Sequence, residues 1–239
     1  MLLRLQNAAS SMAALAQEQE RLSNNLANAN TAGFKRDRVF VEALNERLDA
    51  ELAPRSDRRH LQWADGQQGR LESTGNPLDV AINGDGFFVV NDDDGGERYT
   101  RAGHFVVGAD RTLRTVEGLE VQGQGGPLQI PEDATDIVIG RGGRVEAGGQ
   151  QLGRLRVVNV DNPMQLQRLD GASFAADGVE VNDVEDPTIV QGHVEMSNVN
   201  PVEAMTDMIS NFRLFESQQR MLRTSDELLG RITRDLGSF

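Results

Sequence analysis

The chain has no cysteine, which excludes disulfides, thiolate metal ligands and a cysteine nucleophile, and leaves the redox compartment open. Aromatic residues are few, at 5% against 38% hydrophobic overall, a modest stock for 239 residues that argues against one compact ball. A basic surplus is also missing. The formal net charge is −13, which argues against nucleic-acid binding and against adhesion to anionic lipid. No long apolar run occurs either: the opening MLLRLQNAASSMAALAQ is broken by Arg4, Gln6 and Asn7, so it forms no signal-peptide core, and no segment reads as a membrane span. Composition alone points to the cytosol, and a protein exported without a cleaved signal has the same appearance.

What is present is unevenly placed. Nineteen of the 25 glycines lie between Leu61 and Gly153, a turn-rich middle between glycine-poor ends. Residues 1–30 sum to zero charge, residues 200–239 to −1, and the middle carries the rest. Near-neutral ends can pack against copies of themselves while the acidic middle keeps the subunit soluble.

In residues 1–30 a heptad seam runs through Leu5, Ala8, Met12, Leu15, Gln19, Leu22 and Leu26, a narrow stripe that calls for partner helices. Asn24, Asn25, Asn28 and Asn30 then crowd the helix end, offering amides at helical spacing to another helix or subunit. Gly33 suits a positive φ and a hinge, followed by Phe34, with Lys35 and Arg36 near the terminal carbonyls. Residues 37–74 read as a connector: Val39 to Leu52 as a short continued helix, a break at Pro54, and Trp63 as an interface or domain-edge anchor.

From Gly75 the signals turn to β. Leu78–Ile82 and Phe87–Val90 around Asn83-Gly84-Asp85-Gly86 read as a hairpin, and Tyr99–Val107 as the next strand. Short strands follow at Leu113–Val121, Leu128–Pro131, Asp136–Gly140 and Gly153–Val160, with a weaker β portion over 161–195 that includes an Asn162-Pro163 turn. A helix start then stands at Asn200, with Pro201 in the first helical position and Glu203 at capping-box spacing. Its seam reads Met205, Met208, Phe212, Phe215, Gln219, Leu222, Asp226, Leu229, Thr233 and Leu236. The expected fold is α+β: long N- and C-terminal helices forming a coiled-coil core domain around a central, mainly antiparallel all-β domain. The expected parts are 1–36, 37–74, 75–195 and 196–239.

Three stretches together resemble the bacterial flagellar rod and hook family. They are SNNLANANTAGFKR at 23–36, the seventeen residues TGNPLDVAINGDGFFVV at 74–90 with YTRAGHF at 99–105, and SNVNPVEAMTDMI from Ser197. His104 departs from the small polar residue usual in the family and reads as surface variation. Within the family, the short length, GRLRVVNVDNPMQLQRLDG and the lack of a long insertion after the first helix resemble the proximal-rod branch more than the distal-rod branch. The resemblance implies a structural subunit of the basal-body rod, spanning the periplasm and exported through the flagellar channel without signal cleavage. Its partners are then copies of itself, other rod proteins and, in transit, the export apparatus, and it needs no cofactor or metal. The subunit interface then comprises Leu5, Met12, Leu15, Leu22, Asn24, Asn25, Leu26, Asn28, Met205, Met208, Phe212, Phe215, Leu222 and Leu229, with Gly33 as hinge.

Other classes were weighed on the residues. His104, His193, Asp85 and Tyr99 cannot be assembled by spacing into a nucleophile, base and orienting acid. Asn91-Asp92-Asp93-Asp94-Gly95 lacks the glutamate that closes a calcium loop, and the glycines at 123–126 and 140–143 precede no helix that would bind phosphate. An adhesin or carbohydrate-binding β domain on a trimeric helical stalk remains the alternative of a different class.

Overall fold

The computed structural model describes residues 2–41, 60–132, 134, 136–161, 165–176 and 178–236, with side chains at 2–6, 39–41, 60–62, 225–226 and 228–236 set aside. The chain forms two compact units, one of residues 1–28 with 199–239, the other of residues 29–198.

The first unit is a pair of helices. Helix α1, Leu2–Ala27, ends where Asn28 Nδ2 donates to the Asn24 carbonyl at 3.0 Å and to Asn24 Oδ1 at 2.7 Å, so the asparagines turn on one another rather than extend the helix. Helix α2, Pro201–Leu236, opens as the sequence requires: Asn200 Oδ1 accepts from the amides of Val202 at 3.1 Å and Glu203 at 3.4 Å, and proline fills the position whose N–H has no intrahelical partner. At 1.5 Å per residue α1 is about 39 Å long and α2 about 54 Å.

The second unit is β, and every ladder among its described residues is antiparallel. Its ten-stranded sheet centres on Phe87–Asn91, which pairs with Glu97–Thr100 on one side and Glu120–Gly123 on the other. Successive side chains of a strand point to opposite faces. Phe88 and Val90 therefore enter one core with Val80, Phe105, Leu113, Val121 and Leu155, while Phe87 and Val89 enter another with Tyr99, Val158, Val160 and Phe174. Edge-to-face contacts of Phe88 with Phe105 at 5.3 Å and of Phe87 with Phe174 at 5.9 Å mark the two cores. Each buried phenylalanine contributes roughly 1.5–3 kcal/mol.

Several local expectations are corrected. Val80–Ile82 and Phe87–Asn91 are not a hairpin: the first pairs on one edge with Ile189–Gln191, continued by Asn83 N onto the Thr188 carbonyl, and on its other edge Val80 N donates to the Gly103 carbonyl at 2.8 Å. The turn between them hands the chain from one sheet to another. Tyr99–Val107 is two strands, Glu97–Thr100 and Phe105–Val107, because the Gly103 backbone lies so close to the Val80 carbonyl that a Cβ there would stand 1.6 Å from it. Val39–Val41, expected as helix, belongs to the strand Asp37–Val41, which pairs with His60–Ala64 and sets Trp63 opposite Arg38. The rest of that expected helix, the break at Pro54 and the Asn162-Pro163 turn lie outside the described residues. The remaining described end of the expected connector is also strand, Leu71–Ser73 paired with His193–Glu195.

Candidate assembly surface

The helix pair is antiparallel, since Ser23 near the end of α1 meets Met208 near the start of α2, and Leu15 and Gln19 meet Asn211 further on. The seam read along α1 turns inward: Leu22 is 2% exposed, and Met12, Leu15 and Leu26 are half-buried. The asparagines divide. Asn25 is buried, Asn24 is exposed, and Asn28 is half-buried on Asn24. Leu5 and Leu229 lie outside the described side chains.

On α2 the inward line is Ala204, Met208, Asn211, Phe215 and Leu222. Met208, Phe215 and Leu222 fall where the sequence placed them. Met205 and Phe212 do not, being 49% and 52% exposed. Their places are taken by the neighbouring Ala204 and Asn211, because a small residue and one hydrogen-bonded amide let α1 approach more closely than a methionine and a phenylalanine would. Val202, Met205, Ile209 and Phe212, spaced 3-4-3, form a second apolar stripe beside the inward line and facing away from it, all exposed. Leu214 and Met221 are exposed on the other flank. Sequence reading missed this stripe because a seam one residue out of step absorbed two of its members.

In the β unit the sequence motifs converge on one buried cluster. Gly33, at φ +71°, donates its amide to the Glu195 carbonyl at 2.7 Å, and its Cα abuts the Ala102 backbone, where an added Cβ would stand 2.1 Å from the Ala102 nitrogen. Phe34 is buried with the Arg168 guanidinium 4.3 Å above its ring, and that guanidinium also lies 4.9 Å from Phe174 and bonds Asp37 at 2.9 Å. Lys35, expected near the helix-terminal carbonyls, is instead 1% exposed and bonds Glu195 Oε1 at 2.6 Å and the Gln67 carbonyl at 2.8 Å. Arg101 reaches Glu195 Oε2 at 3.2 Å and the Gly84 carbonyl at 2.8 Å, and Gly69 N donates to Glu195 Oε1 at 2.9 Å. Burial pushes the Lys35 and Arg101 cations below their ordinary values, and the Glu195 carboxylate opposes this. Asn198, of the SNVN motif, accepts from Arg36 N at 2.7 Å and donates to the carbonyls of Asp65 and Gln67 at 3.0 Å. No local pattern could have announced an ion triad whose members stand at 35, 101 and 195.

The TGNPLD motif is a turn gathered around Asp79 and tied to Gly192, whose amide donates to the Asp79 carbonyl at 2.7 Å and whose carbonyl accepts from Thr74 N at 2.8 Å. Asp79, 1% exposed, accepts from Thr74 Oγ1 at Oδ2, 2.6 Å away, and from Asn76 Nδ2 at Oδ1, 3.0 Å away, and His104 Nδ1 lies 2.7 Å from that same Oδ1. His104 thus holds a buried carboxylate rather than merely varying the surface. The acidic turn at 91–95 closes on itself, Asp92 accepting from Gly96 N at 2.6 Å and bonding Arg98 at 3.0 Å. Among the described residues no group of three or more histidines and carboxylates converges as a metal site.

Comparison with known proteins agrees along the length of the chain. Family profiles described as flagella basal body rod protein, flagellar hook protein FlgE/F/G D1 domain and flagellar basal body rod FlgEFG protein C-terminal match residues 5–35, 81–147 and 190–235. The flagellar basal-body rod protein FlgF of Salmonella typhimurium is 38% identical over 87% of this chain and 88% of its own. FlgG of Agrobacterium fabrum is 34% identical over 96% of this chain and 97% of its own, and FlgF of Rhizobium meliloti 32% over 96% of both.

Proposed function

The chain belongs to the flagellar basal-body rod protein family, and from that premise we propose that it is a subunit of the proximal rod, polymerising through its terminal helices into a tube that carries torque from motor to hook. The observation that carries this reading is the second apolar stripe. Val202, Met205, Ile209 and Phe212 leave α2 with more apolar surface than its pairing with α1 covers, and such surface stays in water only at a cost unless another helix covers it. Covering it with copies of the same chain gives heterologous contacts, which generate open helical arrays. The interface then comprises the inward residues Met12, Leu15, Leu22, Leu26, Met208, Phe215 and Leu222 with the amides of Asn24, Asn25 and Asn28, the outward Met205 and Phe212, and, from the sequence seams alone, Leu5 and Leu229. Residues 1–36 and 196–239 serve as the core parts, 37–74 as connector and 75–195 as the outer β part.

The turn at 28–33 is the joint between helix and β unit, held at its far end by Gly33. Assembly partners are copies of this chain and other rod proteins in the basal body, and the export apparatus handles the chain in transit without signal cleavage. Identity to FlgF of Salmonella favours the proximal branch, and the fuller coverage by FlgG of Agrobacterium makes a distal-rod subunit the second reading. The role is structural, with no catalysis and no cofactor. Negative-stain images of the purified full-length chain mixed with its neighbouring rod proteins test it: short rods are expected, whereas discrete trimers would overturn it in favour of a stalked binding module.

A further inference from the structure

One inward residue of α2 is polar. Asn211 is 9% exposed and sits three residues after Met208 and four before Phe215, in the middle of the line that packs on α1. Its Nδ2 donates to the Leu15 carbonyl at 3.0 Å and to Gln19 Oε1 at 2.9 Å. Gln19 is likewise the polar member of the α1 seam, standing between Leu15 and Leu22. Two polar residues in otherwise apolar seams therefore face each other across the pair.

Apolar residues at heptad spacing pack nearly as well after a slip of one heptad, so they fix the register of two helices poorly, whereas two facing amides lose their mutual bond in the slip. Sliding α1 by seven residues in either direction brings Met12 or Leu26 to the place of Gln19. A slip also puts the carbonyl of Ala8 or Leu22 in the place of Leu15's, so Asn211 keeps a backbone acceptor; what either slip removes is the bond to the Gln19 amide oxygen, worth about 0.5–1.5 kcal/mol net. We propose that Asn211 and Gln19 are the register determinants of the helix pair, holding α1 and α2 at one relative height. On the rod reading, which this inference deepens, the consequence is uniformity. A one-heptad slip displaces one helix by about 10.5 Å along the other, and every subunit of a helical array must present the stripe Val202–Phe212 at the same height.

The absence of native cysteine allows a direct test by disulfide trapping in the purified full-length chain. Ser23→Cys with Met208→Cys reports the observed register, in which the two side chains touch at 3.8 Å. Ala16→Cys with Met208→Cys reports the register slipped by one heptad. The observed-register disulfide should form roughly threefold to tenfold in preference to the slipped one, matching about 0.65–1.4 kcal/mol of discrimination. Adding Asn211→Leu and Gln19→Leu should bring the ratio near one while helicity, followed by far-UV circular dichroism, is kept or increased. Gln19→Leu alone, which leaves Asn211 a backbone carbonyl in either register, should also bring the ratio near one. An unchanged ratio in both backgrounds, no preference in the parent, or loss of helicity in the leucine background would each overturn the proposal. The trapping reads register whether or not the chain enters a rod, so a failure of the rod reading, seen as absence of the parent chain from basal bodies, is distinguishable from a failure of this one.

Discussion

At the scale of single residues, the β unit depends on charges that are buried in pairs. Glu195 faces both Lys35 and Arg101 at 1–3% exposure, so its removal strands two cations away from water. Breaking such a group from one side costs about 3–5 kcal/mol, far more than an exposed ion pair contributes. Glu195→Gln should therefore lower the free energy of urea unfolding of the β unit by that amount, and a loss below about 1 kcal/mol would show that the triad is not what holds it. Gly33→Val should likewise destabilise the β unit, since its Cβ would collide with the Ala102 backbone, and thermal unfolding of the full chain checks it. At the surface, Asp92 is held below its ordinary value first by the Gly96 amide, and Asp110 first by Arg114. A carboxyl depressed in the folded state adds stability above its unfolded value of 3.8 and loses it as pH falls further. Stability should thus decline below about pH 4, and Asp92→Asn with Asp110→Asn should flatten that decline in a pH series of melting temperatures.

At the scale of elements, the two helices were legible from periodicity and capping, because a heptad seam and an Asn-Pro start are local patterns. The phase of α2 was legible only in part. Met205 and Phe212 look like seam residues by hydrophobicity, yet Ala204 and Asn211 occupy the seam because packing rewards close approach and one satisfied amide more than bulk. Strand pairing was less legible still. Val80–Ile82 and Phe87–Asn91 are legible as β, and Phe87–Asn91 pairs locally with Glu97–Thr100 across the 91–96 turn, but their other partners include Ile189–Gln191 and Val157–Val160, more than sixty positions away. The phase correction has a consequence. Met205→Glu with Phe212→Glu should leave helicity unchanged by circular dichroism, because both side chains are about half exposed, and should sharply reduce the chain recovered in basal bodies. Normal incorporation would remove the outward stripe from the interface.

At the scale of the whole molecule, the family's three signatures do different work. GFKR and the first asparagine of SNVN meet inside the β unit, where Lys35 bonds Glu195 and Arg36 bonds Asn198, binding the incoming and outgoing chain together. TGNPLD builds the turn around Asp79. The helices beyond those motifs carry the apolar surface that a single subunit leaves exposed. The buried ion triad was invisible in sequence because charge pairing at 160 residues' separation leaves no local pattern, whereas the motifs around it were plain. On the proposed function, the helices are then the means of assembly, and the β unit is held by its own buried contacts.

The most direct test is to delete residues 7–27 or residues 205–236 and measure both the amount of chain in purified basal bodies and the unfolding transition of the β unit. Loss of incorporation with that transition retained is the expected result. A truncated chain that still enters the basal body at the level of the full chain would contradict it.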